Sequence, residues 1–475
     1  MALPNGPIAF SDLRRVIGPN DSSSVSLSQY RPSFAPAYGN GIPGVTDTNI
    51  SMSQFAGKSK VLKSGFTYRV FIGTYFADNP AFFTTATETY IGTTTDTSSI
   101  NAATGGVVPN DASFESYSVE WFGYFYATVT GTYTFYTVSD DASYAWIGST
   151  ALSGYTTANA LINNAGLHGA QERSGTIALT AGTFYPIRCQ FGENFSGDSY
   201  TFSFAAPGIA RTYNMTGYVF YSLGIAAAFP AESARITKAV SPTTNTDGIY
   251  YIIVNGVSTA TYCLMNSAWN GGGWMMLMKA TRGTTFQYSS GYWTGVNTLN
   301  PAQTNRNDGD AKFDVMNYAM IKDVLAVWPD VGYTGGSIAS PPDSWTWLVN
   351  DYYSSGTRAT ALTGFSATNT RDSPSYPDPT AFPGFSTSIW SSQTPSKKHV
   401  FGGGTHLGSI NNVVRWGFVF NENNPGDFSS SDAAGGIGMG ISWGGSAPNY
   451  SGGDFYGCCA SVGLNRSMRV EVYGR

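Results

Sequence analysis

Residues 118–139 read SVEWFGYFYATVTGTYTFYTVS, and this stretch decides the fold predicted for the middle of the chain. Apolar and aromatic side chains nearly alternate with others along it, which is the period of β-strands that bury one face. Thr130 and Gly131 interrupt the alternation with residues typical of a turn. The stretch therefore predicts a β-hairpin.

Two later stretches extend the same pattern. Residues 176–190 pivot at Ala181-Gly182 and predict a second hairpin, and residues 200–205 (YTFSFA) predict a further strand. No helix of ordinary length fits between them. Residues 61–222 are therefore predicted to form a β-sandwich or barrel domain.

The composition of the whole chain favours a mainly β protein. Of its 475 residues, 56 are glycine and 30 are tyrosine, and 15% are aromatic whereas only 12% are charged. Aromatic and β-branched side chains fit pleated strands better than helices. The net charge of −5 is the opposite of the basic excess that phosphate neutralisation needs, so nucleic acid is not expected as a ligand.

The first sixty residues contain a short pattern three times. Residues 8–13 (IAFSDL), 25–30 (VSLSQY) and 50–55 (ISMSQF) each read apolar, small, apolar, Ser, polar, apolar. Each copy suits a short extended piece followed by a Ser-capped helical turn, and it is too small to bury a core alone. Residues 1–60 are therefore predicted to be an attachment segment that packs on a partner or on neighbouring copies.

This segment also bears on localisation. Residues 6–60 resemble the N-terminal modules of tail-fibre and other structural proteins of bacteriophages and large viruses, which open with G-P-I-x-x-S-D and continue with I-S-x-S-x-F. The first ten residues read as no export signal, and no run approaches about 18 apolar residues, so membrane insertion is not expected. We expect a virion surface protein, assembled in the host cytoplasm and acting outside the cell.

A pair of adjacent acidic residues follows the first predicted hairpin. Asp140 and Asp141 come directly off its second strand. Neighbouring carboxylates repel one another unless a cation lies between them, and Ca²⁺ takes six to eight oxygen ligands. Glu193 and Asn194, between two later strands, could supply further oxygens. The alternative is a solvated Asp-Asp turn, which the dipeptide alone favours.

Residues 110–205 resemble the GLEYA branch of the protective-antigen-like lectin domains of fungal flocculins and other adhesins. The resemblance rests on four motifs in order: G-T-Y-T-F (131–135), S-D-D (139–141), Y-x-W-I-G (144–148) and A-G-x-F-Y-P-I-R (181–188). In that family an Asp pair, often joined by a cis peptide bond, holds a calcium ion that binds sugar hydroxyls.

The resemblance implies a calcium and glycan site in the middle domain. Asp140 and Asp141 match the family's Asp pair by position, and Trp146 is a further candidate for contact with the glycan. The family's second-loop Asn falls near Glu193 or Asn194, and the sequence does not choose between them.

The last part of the chain is predicted to be a separate α+β domain over residues 246–475. Residues 223–245, with a short helix over 231–240, are predicted to be a linker and the start of that domain. Further predicted elements are two strands and a helix, at 249–254, 260–265 and 315–327.

This last block resembles the fibrinogen-related domains, including the intelectins. The matching motifs are G-x-Y-x-I (248–252), C-x-M (263–265) and G-G-G-W (271–274). The resemblance implies a calcium site with Asp454 as ligand, to which Asp308 and Asp310 could contribute. The alternative is that these residues organise Asx-turns. The Gly-rich loop expected at 435–440 offers neither the His nor the Glu with which intelectins flank their sugar site.

Together these features predict a tail fibre or capsid decoration that adheres to host glycans through lectin-like domains. Calcium is the expected cofactor, other virion proteins bound through residues 1–60 are expected partners, and a homo-oligomer is expected. An enzyme is not expected, because the G-x-S-x-G at 440–444 lacks the strand–turn–helix that a nucleophile elbow needs. The alternatives are a purely structural virion protein with degenerate lectin modules and a cellular adhesin.

Overall fold

The computed structural model describes residues 62–86, 88–97, 116–319, 321–329, 345–349, 412–420, 433–441, 449–456 and 465–475. The predicted attachment segment lies outside these residues. The described chain is mainly β, as the composition predicts, and it divides into two compact units. Within the described residues, the first unit comprises 62–245 with Tyr250–Ala260, and the second comprises Thr246–Ile249 with 261–475.

The first unit contains twelve strands in two antiparallel sheets within residues 62–222 as described. The strands are β1 (Leu62–Ser64), β2 (Phe66–Ile72), β3 (Tyr90–Thr94), β4 (Tyr117–Tyr126), β5 (Gly131–Asp140), β6 (Ser143–Ile147), β7 (Ile162–Asn164), β8 (Gln171–Leu179), β9 (Phe184–Glu193), β10 (Ser199–Ala206), β11 (Ile209–Thr212) and β12 (Val219–Ser222). One sheet has the order β1-β12-β4-β9-β6-β7, with β2 pairing β4 and β3. The other has the order β11-β10-β5-β8.

An aromatic core joins the two sheets into a sandwich. Trp121 of β4 stacks on Tyr200 of β10, with ring centroids 4.6 Å apart. Phe125 of β4 meets Phe135 of β5 and Phe204 of β10 edge to face, each at 5.0 Å. Such aromatic pairs contribute about 0.5–1.5 kcal/mol each beyond the burial of apolar area. The predicted β-sandwich is confirmed.

The two predicted hairpins are wrong, although their strands are present. β4 and β5 follow one another in sequence, yet β4 pairs with β2, β9 and β12 while β5 pairs with β8 and β10. β8 and β9 are divided between the sheets in the same way. Alternation of side chains identifies a strand but not its partner. The Tyr133 hydroxyl accepts from the amide of Val129 and donates to its carbonyl, at 3.1 and 3.0 Å, which fixes the crossing after β4.

The opposite face of β4 carries a buried ionic network. The Glu120 carboxylate pairs with Arg69 of β2 and with Arg188 of β9, the latter at 2.7 Å, and accepts a hydrogen bond from the Gln190 amide at 2.9 Å. Arg188 also pairs with Glu232. Burial alone would raise the pKa of Glu120, but Arg188 and Arg69 outweigh it and hold that pKa below its ordinary value. The network joins three strands and the segment that follows the sandwich.

That segment, predicted to be a linker, packs on the first unit. Helix α1 (Ala234–Val240) begins after Ser233, whose hydroxyl accepts from the Ile236 amide at 3.1 Å. Arg235 pairs with Glu88, and the Tyr124 hydroxyl donates to the carbonyl of Pro230 at 2.8 Å. The first unit therefore extends to Asn245 instead of ending near residue 222.

The second unit contains two further sheets in its described residues. Its elements are β13 (Gly248–Val254), β14 (Val257–Leu264), β15 (Trp274–Ala280), β16 (Ala311–Lys312), α2 (Asp314–Tyr318), β17 (Val324–Trp328), β18 (Trp345–Val349), β19 (Asn412–Phe420), β20 (Ala433–Ile441), β21 (Gly452–Tyr456), β22 (Asn465–Ser467) and β23 (Val470–Gly474). The residues of β13 and β14 are divided between the two units. One sheet has the order β13-β14-β15-β23-β17-β18, with β16 on β15, and the other the order β19-β20-β21-β22.

Two predictions for this unit are wrong. The helix expected over 315–327 ends as α2 at Tyr318, and β17 takes up its second half. All five residues of β17 are buried, and a short apolar run reads alike as a buried strand or a helix. The Gly-rich loop expected at 435–440 is part of β20, paired with β19 and β21. Across the described residues, no helix has the length and apolar character to traverse a bilayer.

Replacing Glu120 by Gln should lower the free energy of unfolding by about 3–5 kcal/mol, because it leaves buried guanidinium groups without their shared carboxylate. The depressed pKa of Glu120 means that its contribution is present above the unfolded-state value of about 4.3 and is lost as the pH falls through the folded-state value. Urea unfolding at neutral and acid pH measures both effects, and the variant should lose part of the acid dependence.

The matched control for this variant is Glu172→Gln. Glu172 pairs with Arg211 at 2.7 Å, but their side chains are 47% and 29% exposed. Solvent screens such a pair, so its loss should cost less than about 1 kcal/mol. Equal costs for the two variants would contradict a special role for the buried network.

Candidate functional site

Three carboxylates meet where two strands of the sandwich end. Asp140 is the last residue of β5 and Asp141 follows it, whereas Glu193 is the last residue of β9. β5 belongs to one sheet and β9 to the other. The register fixes both ends, because Asp140 lies opposite Ser199 of β10 and Glu193 lies opposite Tyr117 of β4. The sandwich itself thus brings residues 53 positions apart into one site.

The geometry of the three carboxylates suits a cation. One oxygen from each of Asp140, Asp141 and Glu193 lies within 4.8 Å of the others. Asp141 is 4% exposed and Glu193 is fully buried, so solvent screens their repulsion poorly. The peptide bond between Asp140 and Asp141 is cis. An all-oxygen donor set of this kind fits a hard cation such as Ca²⁺ better than a softer transition metal.

The charges of the cluster perturb its neighbours. Burial raises the pKa of Asp140, and the negative charge of Asp141 raises it further. The hydroxyl of Tyr75 is likewise buried, and the carboxylates of Asp78, Asp141 and Glu193 add to the rise of its pKa. Concentrated negative charge with little solvent is the condition in which a bound cation is most favourable.

Backbone amides from two loops hold Asp141 in place. Its Oδ1 accepts from the His168 amide at 2.8 Å, and its Oδ2 accepts from the Asn194 amide at 3.1 Å. Each carboxylate oxygen has a second lone pair, which remains able to bind a cation. The structure also separates the roles of the two second-loop candidates, because Glu193 brings its carboxylate to the cluster while Asn194 gives a backbone donor.

The loop of residues 165–170 borders the cluster and was not found from the sequence. Its amides donate at every second position to a different carboxylate: Gly166 to Asp78 at 3.1 Å, His168 to Asp141, and Ala170 to Asp140. The Tyr144 hydroxyl donates to Asp78 at 2.8 Å and orients it. Asp78 lies outside the stretch that resembles lectins, and no motif surrounds it, so no signal in the sequence could identify it.

Two apolar side chains stand exposed beside this site. Leu167, in the 165–170 loop, is 59% exposed, and Phe195, next to Asn194, is 64% exposed. Each follows or precedes a residue whose amide holds Asp141. A cluster of carboxylates rimmed by apolar groups can take a ligand that offers both oxygen atoms and an apolar surface.

The prediction that Trp146 contacts a glycan is wrong. Its side chain is fully buried, and its Nε1 donates to the carbonyl of Thr156 and to Oδ1 of Asn159, both at 3.0 Å. The ring packs between Tyr144 and Tyr155, at centroid distances of 5.9 and 5.5 Å. The sequence showed an aromatic residue near the Asp pair but not the face of β6 on which it lies.

The acidic residues predicted to bind calcium in the second unit have other partners. Asp310 accepts from the Thr281 amide at 2.9 Å and from the Thr285 hydroxyl at 2.6 Å. Asp308 pairs with Arg469 at 3.4 Å. Asp454 lies on β21, and its side chain is outside the described residues. A calcium site in this unit stays a prediction.

Comparison with known proteins identifies the region that carries the cluster. The GLEYA domain family matches residues 117–206. The matched region, residues 117–206, is named the GLEYA domain after this family. This match confirms the resemblance to GLEYA domains that the sequence motifs within residues 110–205 indicated, and it places Asp140, Asp141 and Glu193 within the matched region. No curated protein matches the chain.

Solved structures similar to this chain include domains of adhesins. The A domain of epithelial adhesin 9 from Candida glabrata, in complex with Galb1-4GlcNAc, is 16% identical, covers 34% of this chain and 91% of its own, and has a TM-score of 0.29. A PA14 sugar-binding domain from an RTX adhesin is 15% identical, covers 31% and 93%, and has a TM-score of 0.24. The PA14 domain of the antifreeze protein MpAFP is 11% identical, covers 37% and 96%, and has a TM-score of 0.27.

Calcium should bind the GLEYA domain and stabilise it, because the ion relieves the repulsion among three buried or half-buried carboxylates. Ligand at 100 times its Kd raises the free energy of unfolding by about 2.7 kcal/mol. Calorimetric titration of the chelator-treated full chain measures binding, and thermal unfolding measures stabilisation. Asp141→Asn and Glu193→Gln should each weaken binding by at least tenfold.

The matched control is Glu172→Gln, which removes a half-exposed carboxylate that pairs with Arg211 and is not among the predicted calcium ligands. Its calcium affinity should equal that of the unchanged protein. Calcium binding that survives Asp141→Asn and Glu193→Gln but is lost in a second-unit variant would show that the cluster in the GLEYA domain is not the site.

Proposed function

We propose that the GLEYA domain of this chain binds glycans through a calcium ion held by Asp140, Asp141 and Glu193. The observation that carries the proposal is the convergence of these three carboxylates within 4.8 Å, inside the region that matches the family. The site lies at strand ends, where a small ligand can approach, and two exposed apolar side chains border it.

The residues around the site have different roles in the proposed binding. Asp140, Asp141 and Glu193 hold the ion, and the amides of His168 and Asn194 keep the Asp141 carboxylate oriented. The ion, when bound, supplies open coordination positions that vicinal hydroxyls of a sugar fill. Because the carboxylates are fixed before the ion and the sugar arrive, little ordering entropy opposes binding.

A second proposal concerns where the protein acts. We propose that the chain is a virion surface protein, with residues 1–60 as its attachment segment and the GLEYA domain as its adhesive module. The threefold apolar-Ser pattern and the phage-like motifs of residues 6–60 support this assignment. The second unit, which resembles fibrinogen-related domains in sequence, is assigned a structural place in the particle.

A glycan array with the labelled full chain, run with calcium and with chelator, tests adhesion. We expect calcium-dependent binding to a subset of glycans and its complete loss in Asp141→Asn, because no glycan binding is assigned to the second unit. Glu172→Gln is again the control and should bind as the unchanged chain does. Absence of binding in calcium would favour a purely structural role, and binding in chelator would refute a calcium mechanism.

Deletion of residues 1–60 tests the virion assignment. These residues form a separate predicted segment, so the shortened chain should fold with an unchanged calcium-dependent glycan profile but be missing from purified particles. Incorporation at the normal level would contradict the attachment role. Loss of glycan binding in the shortened chain would contradict the division of labour between segment and domain.

A further inference from the structure

Hydrogen bonds hold the 165–170 loop (AGLHGA) both at its base and along its length. At its base, the Asn164 side chain donates to the Ser139 hydroxyl and to the Gln171 carbonyl, at 2.9 and 3.0 Å, and accepts from the Gln171 side chain at 2.7 Å. Further along, the alternate amides of the loop reach three carboxylates. Two of those carboxylates, Asp140 and Asp141, belong to the cluster of three carboxylates that also contains Glu193.

Asp78 is the one of these three carboxylates that holds the loop but lies outside the cluster of Asp140, Asp141 and Glu193. It accepts from the Gly166 amide at 3.1 Å and from the Tyr144 hydroxyl at 2.8 Å, and it is not part of the cluster of three. Gly166 has φ of +93°, a conformation that favours glycine, and a Cβ there would meet open space. Asp78 therefore sets the course of the loop without contributing to the ion.

This arrangement places Leu167 at the edge of the cluster. Leu167 lies between Gly166, held by Asp78, and His168, whose amide is 2.8 Å from Asp141 Oδ1. The Leu167 backbone is joined directly to the His168 amide, so it lies close to the Asp141 carboxylate. Although its backbone is fixed on both sides, the side chain remains 59% exposed.

We propose that Leu167 is a specificity-determining contact that selects sugars carrying a methyl group beside the chelated hydroxyls, and that Asp78 positions it. The inference rests on the proposed calcium-dependent glycan binding and names its substrate class. A leucine side chain forms no hydrogen bonds, so a hydroxyl pressed against it loses water without compensation. A methyl group in the same place removes apolar surface from water on both sides.

The methyl group can come from an acetamido substituent or from a 6-deoxy carbon, and both offer the same chemistry to Leu167. Burial of one such group corresponds to about a fourfold gain in affinity. The test distinguishes the sources by comparing sugars that differ in one substituent. Methyl glycosides of galactose and of glucose serve as parents, each with its 2-acetamido-2-deoxy and 6-deoxy counterpart.

Calorimetric titration of the full chain in saturating calcium measures the six affinities. We expect one methyl-bearing counterpart to bind at least about fourfold more tightly than its parent. Leu167→Ser should abolish that preference while calcium binds as before. Val257→Ser, which changes a side chain 63% exposed in the same unit, is the matched control and should keep the preference.

Variants at Asp78 test the positioning role through a different readout. Asp78→Ala should reduce the preference for the methyl-bearing sugar by a larger factor than it changes calcium affinity, because Asp78 is not among the three clustered carboxylates. Asp78→Asn keeps an acceptor oxygen for Gly166 and Tyr144 and should restore at least part of the preference. A merely structural role would lower the melting temperature of both variants with the selectivity unchanged.

The outcomes separate this inference from the proposed function. If no parent or counterpart binds in calcium, the proposed function fails and the inference fails with it. If the sugars bind in a calcium-dependent way but parent and counterparts bind equally, only the inference fails. It also fails if Leu167→Ser keeps the preference.

Discussion

The carboxylate of Glu120, shared between two arginines on the buried face of β4, constrains the whole first unit. It ties β2 to β4 through Arg69 and β4 to β9 through Arg188, which continues to Glu232 beyond the sandwich. A one-residue slip of β9 would turn Arg188 into the aromatic core and leave its charge unpaired, which no gain in packing could offset. The register that this network enforces also sets where β9 ends, and hence where Glu193 lies.

The same strands therefore carry two kinds of buried charge with opposite requirements. The network at Glu120 contains its own counterions and is complete within the chain. The cluster of Asp140, Asp141 and Glu193 concentrates negative charge, and the amides that reach Asp141 offset it only in part. In the proposed site a cation would neutralise the second group as Arg69 and Arg188 neutralise the first. Because the amides of two loops reach the same carboxylates that would hold the proposed ion, we expect ion binding and the order of these loops to be coupled.

The sequence predicted the parts of this site that depend on local pattern. Adjacent aspartates after a strand, Asp140 and Asp141, are visible as such, and the motifs around them indicated the GLEYA family that residues 117–206 match. The choice between Glu193 and Asn194 was not predictable, because it depends on which of two consecutive residues ends β9 facing the cluster. The role of Asp78 could not be predicted, because its contact with Gly166 joins residues 88 positions apart and leaves no local pattern in the sequence.

The sequence also did not predict which strands pair with one another in the sheets. This pairing has a consequence for the rate of folding. Because β4 and β5 belong to different sheets, neither can form by closing a short turn, and their pairings join distant segments. Glu120 lies 70 positions from Gln190, and Arg188 lies 44 positions from Glu232. Folding dominated by such non-local contacts is slow. A ribosome must therefore deliver the chain as far as Ser222, the end of β12, before β4 has all the strands that pair with it, and until then its aromatic side chains stay exposed to aggregation.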